Sequence, residues 1–338
     1  MLRRKVPNSN GKRKKDNEDD KYVCTLDDAS LGKAERELNE DPVERHSAVL
    51  TLRQWVQTQQ HLRCRTDMPF LLRFLRCAKF CQLRARKTIE NYLDICSQMP
   101  EWFSDVDTTD ENILKYFKSG LFLVLPGRDD EGRKIFVFRP EVYDLHDKSL
   151  NSTDMGRACV GMLLYLLRDE ATQINGIVAL EDRTNFTMSH MKQMAPTFTK
   201  GVKCFMGGQF PLRYKAIHWY NSGALTDALM TLIKPFMQEK LRQRVQMHGN
   251  SMESVFECIP MRLLPSEYLP DDYDGPTNGT RQQCIDWFLA ELTNENVRRE
   301  ILDDTSDKYG IDIDKKPPED KTVTPGSFRR LSSTESKW

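Results

Sequence analysis

The groups in this chain that could do acid–base or nucleophilic chemistry do not come in sets. Glu181 and Asp182 follow the apolar run 177–180, and the carboxyl end of a strand is where α/β enzymes place catalytic groups. No nucleophile or metal-ligand pattern stands beside that pair. Gly249-Asn250-Ser251-Met252-Glu253 resembles a nucleophile elbow, but a glutamate replaces its second glycine. His218 and His248 fall at strand-like positions, and none of the six histidines has metal-pair spacing. They read as hydrogen-bonded structural residues. Cys77 and Cys81 stand four apart without a second pair or a histidine. Neither a GxxxxGK loop nor a GxGxxG occurs, and no cysteine is followed after five residues by arginine. The expectation is a protein that is not an enzyme, without catalytic residues, cofactor or metal.

What the chain does carry is apolar surface beside clustered positive charge. Within residues 209–249 the pattern predicts a strand over 215–220 and a helix over 224–237. Only Asp227, Thr231 and Lys234 make a polar line on that helix. Leu225, Leu229, Leu232 and Phe236 form one apolar stripe, and Met230, Ile233 and Met237 a second. A surface helix ordinarily buries an arc of roughly 100°, so two stripes need apolar neighbours on more than one side. The same stretch holds Arg213, Lys215, Lys234, Lys240, Arg242 and Arg244 against only Asp227 and Glu239. This combination reads as a movable cover that meets a membrane.

The elements around it follow from periodicity and punctuation. Residues 1–27 read as a disordered charged tail. Apolar residues at helical spacing, with a start signal at Asp41-Pro42-Val43-Glu44 and another at Asp67, predict a helical domain over 28–100. An α/β domain with a largely parallel sheet is expected over 115–274. It opens with a hairpin at 121–125 and 134–139, a helix over 155–172 and a strand over 177–180. A helix over 280–302 and a disordered tail over 303–338 complete the chain. In that tail, Arg329-Arg330-Leu331-Ser332 matches a basophilic kinase pattern and reads as a chance match. The 338 residues carry 50 acids and 50 bases, so global charge gives no reason to expect nucleic acid. No apolar run approaches the ~20 residues of a membrane span. Nine irregularly spaced cysteines read as reduced thiols of a cytoplasmic protein.

Four signatures then fall in order: Thr66-Asp67 with Phe-Leu-Leu-Arg-Phe-Leu-Arg at 70–76; Phe210-Pro211 leading to Ile217-His218; Ile233-Lys234-Pro235-Phe236 with Glu239-Lys240; and Met247-His248-Gly249-Asn250 before Leu264-Pro265-Ser266-Glu267-Tyr268. In these the chain resembles the CRAL-TRIO (Sec14-like) lipid-binding family, within it the subgroup of tocopherol-transfer, retinaldehyde-binding and clavesin proteins. The resemblance implies an apolar cavity for one lipophilic molecule, floored by the sheet and closed by a mobile helix at 221–244. Candidate pocket residues are Cys159, Val160, Leu163, Ile177, Ala179, Tyr214, Ile217, Leu229 and Phe236. Candidate contacts to phosphoinositide headgroups are Arg213, Lys215, Lys240 and Arg244, the last two expected at i, i+4 on one helix face.

Departures from the family pattern are visible too. Ala78, followed by Lys79, replaces a headgroup arginine. Cys159 and Leu163 replace serines of tocopherol-type pockets, Glu181 replaces an apolar residue, and Leu269-Pro270 replaces a glycine pair. The implied function is an intracellular carrier of one hydrophobic ligand (retinoid, tocopherol-like or phospholipid). It would be a monomer that docks transiently on phosphoinositide membranes, endosomal ones included. The alternative is a regulatory or interaction protein using the same fold as a scaffold.

Overall fold

The computed structural model describes residues 22–317; the pattern at 329–332 lies outside the described residues. Helix α1 (Asp28–Leu38) is capped by Asp27, whose carboxylate accepts from the Ser30 N–H at 2.7 Å. Helix α2 (Arg45–Thr58) begins later than its start signal suggests. The Asp41 side chain accepts from the Val43 N–H at 2.8 Å and so closes a turn ahead of the helix. Strand β1 (Leu62–Arg63) precedes α3 (Met68–Cys77), which Asp67 caps through the Phe70 N–H. Helices α4 (Gln82–Gln98), α5 (Pro100–Phe103) and α6 (Glu111–Lys118) follow.

The second half alternates strands with helices: β2 (Phe122–Val124), β3 (Lys134–Phe138), α7 (Ser152–Arg168), α8 (Glu170–Asn175), β4 (Ile177–Asp182), α9 (Met188–Gly201), β5 (Tyr214–Tyr220), α10 (Ala224–Ile233), α11 (Glu239–Arg242), β6 (Val245–Met247) and α12 (Glu253–Phe256). The single helix predicted over 155–172 is two, because Asp169 leaves helical geometry and caps α8. The strands form one sheet in the order β2-β3-β4-β5-β6, antiparallel only at the β2–β3 hairpin. Every residue of β4 is buried, as expected of a central parallel strand covered on both faces.

The chain then returns to the helical half. The single helix predicted over 280–302 is α13 (Arg281–Leu292) and α14 (Glu295–Asp304), separated where the Asn294 side chain caps the second. Strand β7 (Gly310–Ile311) pairs antiparallel with β1. Residues 22–27 and 303–317, which composition alone places in the tails, therefore carry defined contacts. Tyr22 and Thr25 bond to Glu170, the latter at 2.7 Å, and the Ile311 N–H donates to Ser97 Oγ at 2.7 Å.

Helix α3 is the joint between the halves. Phe70, Leu71, Phe74 and Leu75 face the core as periodicity predicts, but Arg73 and Arg76 are buried as well. Arg76 pairs with Glu40 and with Glu170 of α8, both at 2.8 Å, and Arg73 pairs with Asp304 of α14 at 2.6 Å. A buried charge is tolerated only when matched in this way.

Candidate ligand cavity and basic cleft

A cavity of about 90 Å³ lies between the sheet and helices α5, α7 and α9. Its floor is Phe122, Phe136, Phe138, Glu181 and Tyr214. Its walls are Trp102, then Met155, Gly156, Cys159, Met162 and Leu163 of α7, then Met194, Thr197 and Phe198 of α9. Beyond α9 the wall is a π-helical turn, Val202–Met206, supplying Val202, Phe205 and Met206. Helix α9 also carries Pro196 in its interior. Proline and π geometry both interrupt the regular hydrogen-bond ladder, so this wall is the least regular part of the enclosure.

Of the residues named from sequence, Cys159, Leu163 and Tyr214 line this cavity. Val160, Ile177, Ala179 and Ile217 are wholly buried in the core without lining it. Ala179 is registered beside Phe136, whose larger side chain does reach the cavity. Leu229 lines a small adjoining space with Phe138, Met194 and Phe198, which it shares with the main cavity. Phe236 lines neither and is 40% exposed. The cause is local. Pro235 ends α10 at Ile233, and a 3₁₀ turn, Lys234–Phe236, carries the ring off the helical stripe. The inward stripe of the cover is Thr226, Leu229, Ile233 and Met237, while Leu232 joins Phe236 outside.

Among the described residues, Glu181 is the one carboxylate in the cavity lining. It accepts from Arg183 at 2.5 Å, and burial raises its carboxyl pKa above the ordinary range. Arg183 lies over the Trp219 ring, 4.5 Å from its centroid. The neighbouring Asp182 accepts from the Tyr268 hydroxyl at 2.8 Å and from Thr184. The pair that sequence offered as a catalytic candidate thus points into two separate networks. His218 and His248 meet each other at 2.9 Å.

Helix α10 packs on α9 and is tied down at both ends. Ser222 and Gly249 exchange hydrogen bonds of 3.0 and 2.9 Å at its start, and the Gln238 N–H donates to the Met206 carbonyl at 3.4 Å beyond its end.

Behind the π turn opens a cleft of about 450 Å³ with Lys79, Arg84, Lys87, Arg213, Lys240 and Arg244 in its walls and, among the described residues, no acidic side chain in its lining. The Lys240 ammonium pKa is lowered chiefly by Arg244, then by burial and the charges of Lys79, Arg213 and Arg84. Such mutual repulsion is relieved by an anion. Arg213, Lys240 and Arg244 are therefore brought together as the sequence suggested, but not by the expected helix face. Helix α11 ends at Arg242, and Arg244 stands in the turn before β6, bonded to the Tyr214 carbonyl. Lys215 does not line the cleft; its ammonium lies 3.4 Å from Glu37. Sequence reasoning missed Arg84 and Lys87, which the first turns of α4 contribute from the helical half. Their only signal was the run of basic residues at the start of that helix. Cavity and cleft share Phe205, Met206 and Tyr214 as a common wall.

Family models match both halves of the chain. The CRAL/TRIO domain matches residues 118–269, and the Pinta-like, UBA domain matches residues 41–113. Clavesin-2 of Rattus norvegicus is 32% identical over 314 residues, 91% of this chain and 90% of that one. Alpha-tocopherol transfer protein-like of Mus musculus is 34% identical over 248 residues, 73% of this chain and 71% of that one. The crystal structure of Sfh5 covers 80% of this chain and 100% of its own, with a TM-score of 0.48 at 10% identity.

Proposed function

Since the chain belongs to the CRAL-TRIO family, we propose that it binds one hydrophobic ligand and transfers it at phosphoinositide-containing membranes. The observation that carries this reading is the wall common to cavity and cleft. An anionic headgroup gathered by Lys79, Arg84, Lys87, Arg213, Lys240 and Arg244 would press on the same three residues that enclose the ligand. Headgroup binding and release of cargo are then two states of one segment.

The cavity of about 90 Å³ is below the ~300–1,000 Å³ usual for ligand pockets. Uptake therefore requires its wall to move outward. Methionines 155, 162, 194 and 206 suit such a wall, because an unbranched thioether repacks at small cost. Burial of the ligand at about 25 cal/mol per Å² supplies affinity, and the Glu181–Arg183 pair offers one polar handle. The molecule acts as a cytoplasmic monomer with transient peripheral association with membranes. No described helix is long and apolar enough to cross one.

Native mass spectrometry of the full chain purified from cells tests the reading. A single co-purifying lipid is the expected result. A chain that emerges consistently empty, and that fails to extract lipid from donor vesicles, would favour the scaffold alternative.

A further inference from the structure

Three side chains that no sequence spacing groups come together on the face of the sheet turned away from the cavity. On β5, Trp219 is registered with Glu181 of the cavity floor, whereas His218 is registered with Leu180 and projects from the opposite face. His248 follows β6 and is held by donation of its N–H to the Trp219 carbonyl at 2.9 Å. Cys258 lies just past α12, its N–H bonded to the Val255 carbonyl at 2.9 Å. One ligand atom from each of the three lies within 4.8 Å of the other two.

The hydrogen bonds around this cluster already set one imidazole for coordination. The Ser254 hydroxyl donates to the Ser251 carbonyl at 3.0 Å, so its oxygen accepts from His248 Nδ1 at 2.7 Å. That leaves the His248 Nε2 lone pair aimed at His218 Nδ1, 2.9 Å away. An outer hydrogen bond of this kind is what orients a metal-ligating histidine. The Cys258 thiol faces the Gln246 amide oxygen at 3.4 Å, a neutral acceptor able to complete a fourth position.

We propose that His218 Nδ1, His248 Nε2 and Cys258 Sγ form a binding site for a thiophilic transition-metal ion, Zn²⁺ foremost. Two imidazoles and a thiolate select such an ion over Mg²⁺ or Ca²⁺, which take oxygen ligands. On binding, the Cys258 thiol loses its proton to solvent, and the His218 proton moves from Nδ1 to Nε2. Tetrahedral Zn–N bonds of about 2.0–2.1 Å set the two nitrogens roughly 3.4 Å apart. The pair therefore opens by about half an ångström to admit the ion. The site lies at the base of the cover helix, because Gly249 beside His248 holds Ser222 through two hydrogen bonds.

The test uses the full chain, stripped with chelator and titrated with Zn²⁺, then with Co²⁺ as a spectroscopic probe. One ion per chain is expected, with thiolate-to-cobalt charge-transfer absorption. Cys258→Ser should abolish that absorption, and His248→Ala should weaken Zn²⁺ binding by more than about tenfold. Cys77→Ser, remote from the site, should keep both. Ser254→Ala leaves all three ligands in place and should still cost about tenfold in affinity, so the assignment does not depend on a variant that fails to fold. Absence of saturable binding by wild type, charge transfer that survives Cys258→Ser, or unchanged affinity in Ser254→Ala would each overturn the assignment.

Discussion

Arg183 donates to Glu181 at 2.5 Å with both side chains almost fully enclosed, and the carboxylate lines the ligand cavity. Removing one member strands a buried charge, which costs about 3–5 kcal/mol. Glu181→Leu alone should therefore lower the urea-unfolding free energy by about that amount. Glu181→Leu with Arg183→Met, which replaces the pair by apolar groups, should recover most of it. A double-mutant cycle measures the difference. Additive losses would mean that the two charges do not depend on each other.

The cleft predicts an order among cations that sequence alone treats as equals. Arg213 and Lys215 both pair with Glu37, at 3.7 and 3.4 Å, but Lys215 is not in the cleft wall, so Lys215→Ala should leave binding to phosphoinositide vesicles unchanged. Arg84→Ala with Lys87→Ala should weaken it by about 2 kcal/mol, roughly thirtyfold, at about 1 kcal/mol for each cation near an anionic surface. Lys240→Ala with Arg244→Ala should do at least as much. Cosedimentation at low and raised salt distinguishes these cases. Equal losses for Lys215 and for the Arg84/Lys87 pair would mean that the lipid reads diffuse charge and not this cleft.

These two cases show what was legible in the sequence. Local signals placed the elements: Asp67 as a cap, the apolar face of α3 and the continuous apolar run of β4; the helix predicted over 224–237 instead ends at Ile233, before Pro235. Which residues line a cavity depended on side-chain size across strands. Ala179 and Phe136 share a register row, yet only Phe136 reaches the space. Arg84 and Lys87 join Lys240 across a gap of more than 150 positions, and no periodicity carries such information. The β1–β7 pairing was equally invisible, because two-residue strands have no alternation to read.

Burial depresses the His218 pKa to about 4, with the His248 and Arg133 charges adding to the effect. The unfolded chain titrates near 6.5. Above about pH 6.5 both states hold the imidazole neutral, and the native contacts contribute fully. Between about 6.5 and 4 the unfolded state binds a proton that the native state does not, so stability falls as pH falls. Wild type should lose up to about 3 kcal/mol across that window from this group alone. His218→Gln should show a correspondingly shallower slope. Urea titrations at several pH values in the presence of chelator measure it, and parallel slopes would remove His218 as the cause.

The cover helix divides its apolar residues between two tasks, and substitution should separate them. Leu229, Ile233 and Met237 are at most 5% exposed, with α10 packed on α9, whereas Leu232 and Phe236 are at least 40% exposed. Leu229→Ala removes packing from the enclosure itself. It should cost about 2–5 kcal/mol in stability and speed loss of a bound fluorescent lipid into buffer. Leu232→Ser with Phe236→Ser removes side chains that already expose 44% and 40% of their surface. It should cost less stability than Leu229→Ala and leave retention unchanged, yet slow delivery to acceptor vesicles, the outcome expected of a face that meets the membrane. If both substitutions slow delivery and speed leakage alike, the helix is acting as a single packed wall, and the outward face has no separate part in meeting the membrane.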